Sequence, residues 1–135
     1  DLAGRIVGVN PVTYPGDDFL LALRQRIDPD TDGPFAENAY DCVMAMALAA
    51  EAAGGSMPRE IAAMLANVTT SGTQCSTFAE CIDDLGAGRN IDYDGPGASL
   101  GIGLDGELTS AYFERFTFDA SGRDVGAGFV AIGDD

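Results

Sequence analysis

Histidine, lysine and tryptophan are absent from the 135 residues of this chain, and all seven basic residues are arginines. Without histidine the chain has no imidazole base and no metal site that depends on an imidazole ligand. Without lysine it has no Schiff-base amine and no P-loop lysine. A hydrolase built on this sequence would therefore have to work with carboxylates alone.

Positive charge is scarce, since seven basic residues face 22 acidic ones and the net charge is −15. Binding to a nucleic-acid backbone or to anionic lipid needs clustered cations, so we expect neither partner. The apolar fraction of 46% predicts a folded chain. The longest apolar run, Cys42 to Ala50, has nine residues, about half the length that spans a bilayer.

The chain begins with Asp1, and its start shows no charged region followed by an apolar one. We therefore expect a processed or excised segment rather than a segment that carries its own targeting signal. The length predicts one domain or a piece of one.

The first half of the chain predicts one strand and four helices. The strand is the β-branched run Arg5 to Val12, and the most clearly defined helix runs from Phe35 to Ala53 and stops at Gly54-Gly55. Residues 43–48 of this helix are apolar on every side, so we expect neighbours to cover it all round. Of the other helices, one is capped by Asp17 or Asp18, one starts at Pro58, and one follows Thr77, which has capping-box spacing to Glu80.

The last third of the chain predicts β-structure. Residues 86–106 contain seven glycines, too many for a helix. We expect a strand through Leu100, Ile102 and Leu104, a tight turn over residues 104–107, and strands over Ala111 to Phe118 and Val125 to Ile132.

Cys75 and Cys81 lie six residues apart across a helix start, where their sulfurs can meet. The pair is either a redox dithiol or a structural disulfide, and the lack of a C-x-x-C motif favours the disulfide. A disulfide would place the protein outside the cytosol. Cys42 lies in the apolar helix and is predicted to be a free, buried thiol.

Asp28, Asp30 and Asp32 match the first half of a calcium loop, D-x-D-x-D-G. The twelfth position, where the bidentate glutamate belongs, is Ala39, and Glu37 comes two residues too early. The motif therefore fails at its most diagnostic ligand, and we predict no metal and no other cofactor. Neighbouring aspartates such as Asp92 and Asp94 could serve a carboxylate-based hydrolase, but in glycine-flanked segments they are usually just solvated.

The order of segments from Phe35 onward resembles that of type I periplasmic solute-binding proteins of the branched-chain amino acid transporter family. An aromatic residue precedes a Tyr-Asp-x-Val helix start, here residues 35–44. The further matching segments follow in the family's order at residues 51–54, 58–68, 72–81, 91–95, 104–109 and 112–119. Pro96 to Gly103 departs from the family's Ser-Gly-Pro-hydrophobic stretch, which leaves the register of the final strands open.

The resemblance implies the C-terminal part of a two-lobe α/β protein, with three-layer lobes, that holds a small solute in its cleft. Residues 1–95 would supply a strand and helices, and residues 96–135 the terminal strands. The function implied is that of a non-catalytic, extracytoplasmic solute-binding component that delivers an amino acid or small amide to an ABC permease. The same fold is reused for ligand-sensing domains of receptors and regulators, which is the alternative function.

Two residues are candidates for ligand contact on the strength of this resemblance. Phe35 holds the aromatic position before the helix that reaches the cleft in the family, although core packing explains an aromatic residue equally well. Glu37 is a candidate for receiving an amino group, although a first-turn acid favoured by the helix dipole is the simpler interpretation. We expect the isolated segment to bind no amino acid and to dimerise, because it lacks part of the cleft and of its sheets.

Overall fold

The computed structural model describes residues 3–13, 16–27, 35–97 and 100–133. These residues form a mixed α/β structure with four helices and two small sheets, so the predicted α/β class is confirmed. In chain order the elements are β1 (Val7–Pro11), α1 (Asp17–Arg24), α2 (Ala36–Ala53), α3 (Pro58–Val68), β2 (Thr73–Cys75), α4 (Phe78–Gly86), β3 (Ile91–Tyr93), β4 (Ser110–Phe118) and β5 (Asp124–Gly133).

Two compact units make up the chain. The sheet unit comprises Asp1–Val12 and Ser110–Asp135, and the helical unit comprises Thr13–Thr109. From the sequence we expect a division after residue 95 instead. The structure divides the chain at other points because β1, near the start of the sequence, pairs with β4 near its end.

The sheet unit is an antiparallel sheet in the order β1-β4-β5. Val7 on β1 lies opposite Thr117 on β4, and β4 pairs with β5 along its whole length. The turn between β4 and β5 is closed by the Asp119 amide, which donates to the Arg123 carbonyl oxygen at 2.8 Å. Gly122 has φ 82° in this turn, a left-handed conformation that favours glycine.

The core of the helical unit lies where α2, α3 and α4 meet β2 and β3. Small alanine side chains on α2 allow the other elements to approach closely, and larger side chains fill the space between them. The buried apolar residues of this cluster are Ala45, Leu48, Ala49, Val68, Cys75, Cys81, Ile91 and Tyr93.

Local signals delimit α2, α3 and α4 as predicted, whereas the predicted cap of α1 is wrong, because its N-cap is Gly16 and Asp17 and Asp18 lie in the first turn. α2 ends at Gly54, whose left-handed φ of 64° supports the C-terminal stop. α3 begins with Pro58, where the missing N–H costs nothing. α4 begins after Thr77, whose hydroxyl accepts a hydrogen bond from the Glu80 amide at 3.3 Å, as the capping-box spacing predicts.

Strands of the helical unit differ from those expected. β2 and β3 form a parallel pair of three residues each, with Cys75 opposite Tyr93, and the sequence predicts neither strand. The predicted strand at residues 100–104 is wrong for the described residues, among which Ile102 makes a single bridge to Leu108. The glycines that flank Ile102 lack the side chains that stabilise a ladder, so the chain folds back over Thr109 instead. The turn at residues 104–107 is present, with φ 84° at Gly106.

α2 is not covered on all sides, and that prediction is wrong. Its inner face is buried, but Tyr40, Val43 and Met46 are 42%, 61% and 49% exposed. The helix therefore has an exposed apolar stripe, although Phe19 of α1 packs edge-to-face against Tyr40 with ring centroids 5.4 Å apart. Among the described residues, no helix combines the length and the apolar character needed to cross a membrane.

Candidate functional site

The start of α2 carries the two residues that the resemblance singles out. Phe35 occupies the N-cap position with φ 62° and ψ 22°, a left-handed conformation that is rare for a bulky side chain. Its ring is 49% exposed, so it does not belong to the core of this chain. Non-glycine residues held in this region of backbone space are often found at functional sites.

Glu37 lies in the first turn of α2, where a carboxylate interacts favourably with the positive end of the helix dipole. The hydroxyl of Thr13 donates a hydrogen bond to its Oε1 atom. The side chain is thus held in place through one oxygen. A carboxylate has further acceptor capacity on its second oxygen, Oε2.

Asn38 follows directly, and its Oδ1 atom is buried with no hydrogen-bond partner. An unsatisfied buried acceptor costs free energy, so such a group in a folded protein calls for an explanation. Nothing in the sequence points to Asn38, because an asparagine in the first turn of a helix is common. We call Phe35, Glu37 and Asn38 together the α2 start.

Asp41, one turn further along α2, anchors the backbone beside the α2 start. It is 1% exposed and accepts hydrogen bonds from the Tyr93 hydroxyl at 2.9 Å and from the Gly97 amide at 2.6 Å. Burial and the negative charge of Asp41 both raise the pKa of the Tyr93 hydroxyl, which therefore stays a donor. A Cβ atom at Gly95 or Gly97 would overlap the Asp41 carboxylate, so only glycine lets the backbone come this close.

The chemistry of the α2 start is that of acceptors beside an aromatic ring. Glu37 offers a carboxylate oxygen and Phe35 offers an exposed ring face, whereas the unpaired carbonyl oxygen of Asn38 is buried. Acceptors of this kind bind ammonium groups, and an aromatic ring attracts a cation over its face. The arrangement suits the amino group of a small solute.

The structure pairs Cys75, at the end of β2, with Cys81 in α4, with their Cα atoms 5.4 Å apart. The two residues are 2% and 0% exposed. Catalytic or sensing thiols need access to their reaction partners. Burial therefore favours the structural disulfide over the redox dithiol.

Cys42 is free, as predicted, but it is exposed rather than buried. It lies one residue after the buried Asp41 on α2, so the turn of the helix carries it onto the exposed apolar stripe. The prediction of a buried thiol is wrong because it assumed that neighbours cover every side of the helix.

A depression of about 400 Å³ lies beside the last turn of α2. Two of its lining residues are engaged: Arg89 forms an ion pair with Asp84, and the Asn90 side chain donates to the Ser71 carbonyl oxygen at 3.2 Å. The 18 residues of α2 separate this depression from the α2 start by about 27 Å. We assign no ligand to it.

Asp92 and Asp94 face the same side of β3 and its continuation, as alternate residues do. Burial, and after it the negative charge of Asp94, raises the pKa of Asp92. One oxygen of Asp94 accepts a hydrogen bond from the Gln74 amide at 2.7 Å, while Oδ1 is buried without a partner. The two carboxylates therefore influence each other, but they do not line the depression described above.

The incomplete calcium motif, Asp28, Asp30 and Asp32, lies outside the described part of the chain. In the part that the structure describes, no group of three or more cysteine, aspartate or glutamate side chains is placed to hold a metal ion. Comparisons of the chain with protein-family models, with curated proteins and with solved structures find no match.

Proposed function

We propose that this chain is the C-terminal segment of a non-catalytic, extracytoplasmic solute-binding protein that delivers its ligand to an ABC permease. The observation that carries the proposal is the α2 start, where Phe35 presents an exposed ring and Glu37 a carboxylate whose second oxygen can still accept a hydrogen bond. These groups would hold the amino group of an amino acid, of the branched-chain type, or of a small amide.

Two further features support the proposal. The order of segments along the sequence resembles that of the family, and a buried disulfide fits an oxidising compartment outside the cytosol. Anchoring of the Gly95–Gly97 backbone by Asp41 would keep the α2 start in one conformation, which lowers the entropic cost of binding.

Thermal-shift screening of the full-length protein against amino acids and small amides tests this function. A ligand present at a hundred times its dissociation constant adds about 2.7 kcal/mol to the free energy of unfolding, which is readily measured. We expect Glu37→Gln to remove most of this gain, because it takes away the negative charge that pairs with an ammonium group.

Glu51→Gln is the matched control, since Glu51 is an exposed glutamate on the last turn of the same helix. It should keep the ligand-induced shift. Failure of every amino acid and amide to shift the unfolding temperature would reject the proposal, and so would equal losses in the two variants.

Calorimetric titration of the 135-residue chain with leucine, isoleucine, valine and the amides should give no heat of binding. The ligand is expected to need groups from both walls of a cleft, and ordering it against one wall is too costly. Micromolar binding to this chain alone would show that the site is complete within these residues, contrary to the proposed placement of the segment.

A further inference from the structure

β5 forms an edge of the three-stranded sheet, and its outer side has no strand partner among the described residues. All ten of its residues are exposed. Backbone N–H and C=O groups along such an edge are free to pair with another strand. The edge is long, because strands of globular proteins usually have about five or six residues.

The usual protection of an edge strand is missing from β5. It contains no proline and no basic residue, and Asp124 at its beginning is its one charged side chain. The opposite edge is different, since β1 has five residues and ends in Pro11. The register shift between β4 and β5 falls just before Gly128, and Gly128 and Gly133 have φ angles of 114° and 125°, so the regular part of the strand is Phe129 to Ile132.

Apolar side chains cover this regular part of β5. Phe129 and Ile132 are 66% and 60% exposed, and Val130 is 37% exposed. Successive residues of a strand point to opposite faces, so the exposed apolar surface lies on both faces of the sheet edge. A strand added at this edge would cover backbone and apolar side chains together.

Charge favours self-association through the sheet unit rather than through the helical unit. The helical unit carries 16 acidic residues and four arginines, a net charge of −12, which leaves −3 of the total −15 for the sheet unit. Two copies that meet through their helical units would repel each other strongly. Two copies that meet at β5 make contact through the less charged unit.

We propose that β5 pairs antiparallel with β5 of a second copy of this chain across a two-fold axis, so that the two sheets form one continuous six-stranded sheet. The antiparallel direction follows from Asp124, because it places the two aspartates at opposite ends of the ladder, whereas parallel pairing would bring them side by side. Two-fold pairing uses the same surface on both copies and closes the assembly at a dimer. The proposal does not depend on the proposed solute-binding function.

Sedimentation equilibrium of the 135-residue chain in moderate salt tests the dimer. We expect Phe129→Lys to raise the dimer dissociation constant at least tenfold, because it puts a charge in the middle of the ladder. Ile132→Lys should act in the same direction, and circular dichroism checks that both variants keep the fold. Val43→Lys is the control at an equally exposed residue on the apolar stripe of α2, and it should change the constant by less than twofold.

A monomeric wild-type chain at millimolar concentration would overturn the proposal. It would also be overturned if Val43→Lys dissociated the dimer while Phe129→Lys did not, since the α2 stripe would then be the interface.

Cysteine crosslinking tests the direction of pairing. In a Cys42→Ser background, single cysteines are introduced at residues 129 to 132, which avoids Gly128 with its φ of 114°. Directly opposite Cα atoms in an antiparallel pair lie about 4.5–5.5 Å apart, within the range of a disulfide. We expect crosslinks only at the one or two positions nearest the two-fold axis. Equal crosslinking at every position indicates parallel pairing, and no crosslinking at any of them rules out β5 as the contact; either result rejects the proposed dimer.

Discussion

The hydrogen bond from the Tyr93 hydroxyl to Asp41 joins β3 to α2 across 52 residues of sequence, and both side chains are at most 1% exposed. Tyr93→Phe removes one oxygen atom and leaves the ring in place. Hydrogen bonds to charged groups contribute about 1.5–3 kcal/mol to stability, so we expect the free energy of unfolding to fall by about 2 kcal/mol.

Urea unfolding followed by the helical circular dichroism signal measures this loss. With a slope of about 2 kcal/mol per molar urea, the midpoint should fall by about 1 M while the slope stays constant. Tyr112→Phe is the control, because Tyr112 is 57% exposed and should lose less than about 0.5 kcal/mol. A loss below about 0.5 kcal/mol for Tyr93→Phe would refute the anchoring role that we assign to Asp41.

The same hydrogen bond predicts a dependence on alkaline pH. Burial and the Asp41 charge raise the pKa of Tyr93 in the folded protein, so folding favours the neutral phenol. The contribution of the neutral Tyr93 phenol to the free energy of unfolding is present below the ordinary tyrosine pKa of about 10 and is lost as the pH rises above that value. Urea midpoints measured between pH 9 and pH 11 should fall for the wild type and fall less for Tyr93→Phe; equal slopes would contradict this account.

Three further predictions concern other residues. Iodoacetamide without reductant should label one cysteine per native chain, the exposed Cys42, and labelling of two or more would show by mass spectrometry that the disulfide is absent. Gly95→Ala should lose about 1–3 kcal/mol in urea unfolding because its methyl group overlaps the Asp41 carboxylate, whereas Gly86→Ala, with open space around it, should lose nothing; equal effects would contradict the close approach. The Ser121 hydroxyl, and after it backbone amides of the turn, donate hydrogen bonds that lower the pKa of Asp119. The contribution of Asp119 to stability is therefore present above about pH 4 and is lost as the pH falls through the lowered pKa. Asp119→Asn should flatten this acid dependence of the urea midpoint, and an unchanged profile would argue against the turn geometry.

Helix positions could be predicted from the sequence because their signals are local. A glycine at residue 54, a proline at residue 58 and the Thr77–Glu80 pair act within one turn of the helix that they delimit. The short strands could not be predicted in this way. β2 and β3 have three residues each, too few for a recognisable alternation of polarity, so only their pairing with each other defines them.

The sequence predicts part of the α2 start for the same reason. Phe35 and Glu37 stand out because they flank a helix start, but the left-handed backbone of Phe35 and the unpaired oxygen of Asn38 depend on the surrounding fold. The anchoring of Asp41 depends on a tyrosine 52 residues away, for which no local pattern exists. The apolar middle of α2 shows that other residues must pack against the helix, but it does not show which chain supplies them. The sequence therefore does not predict that Val43 is exposed.

The pairing of β1 with β4 has a consequence for how this chain reaches its fold. Five residues separate Phe118 from Asp124 in the β4–β5 turn, whereas 98 residues separate Pro11 from Ser110. By loop-closure entropy, joining β1 to β4 across a flexible chain costs about 2.6 kcal/mol more than closing the turn. Pairings of such high contact order form slowly.

The helical unit is continuous in sequence and can collapse before β4 has been synthesised. Once it is folded, the span between its two ends is fixed, and the entropic cost of a long flexible loop no longer applies. We therefore expect the helical unit to fold first during translation and β1 to wait for its partner, so that slow refolding in vitro reports on docking of β1 rather than on the disulfide-bonded core.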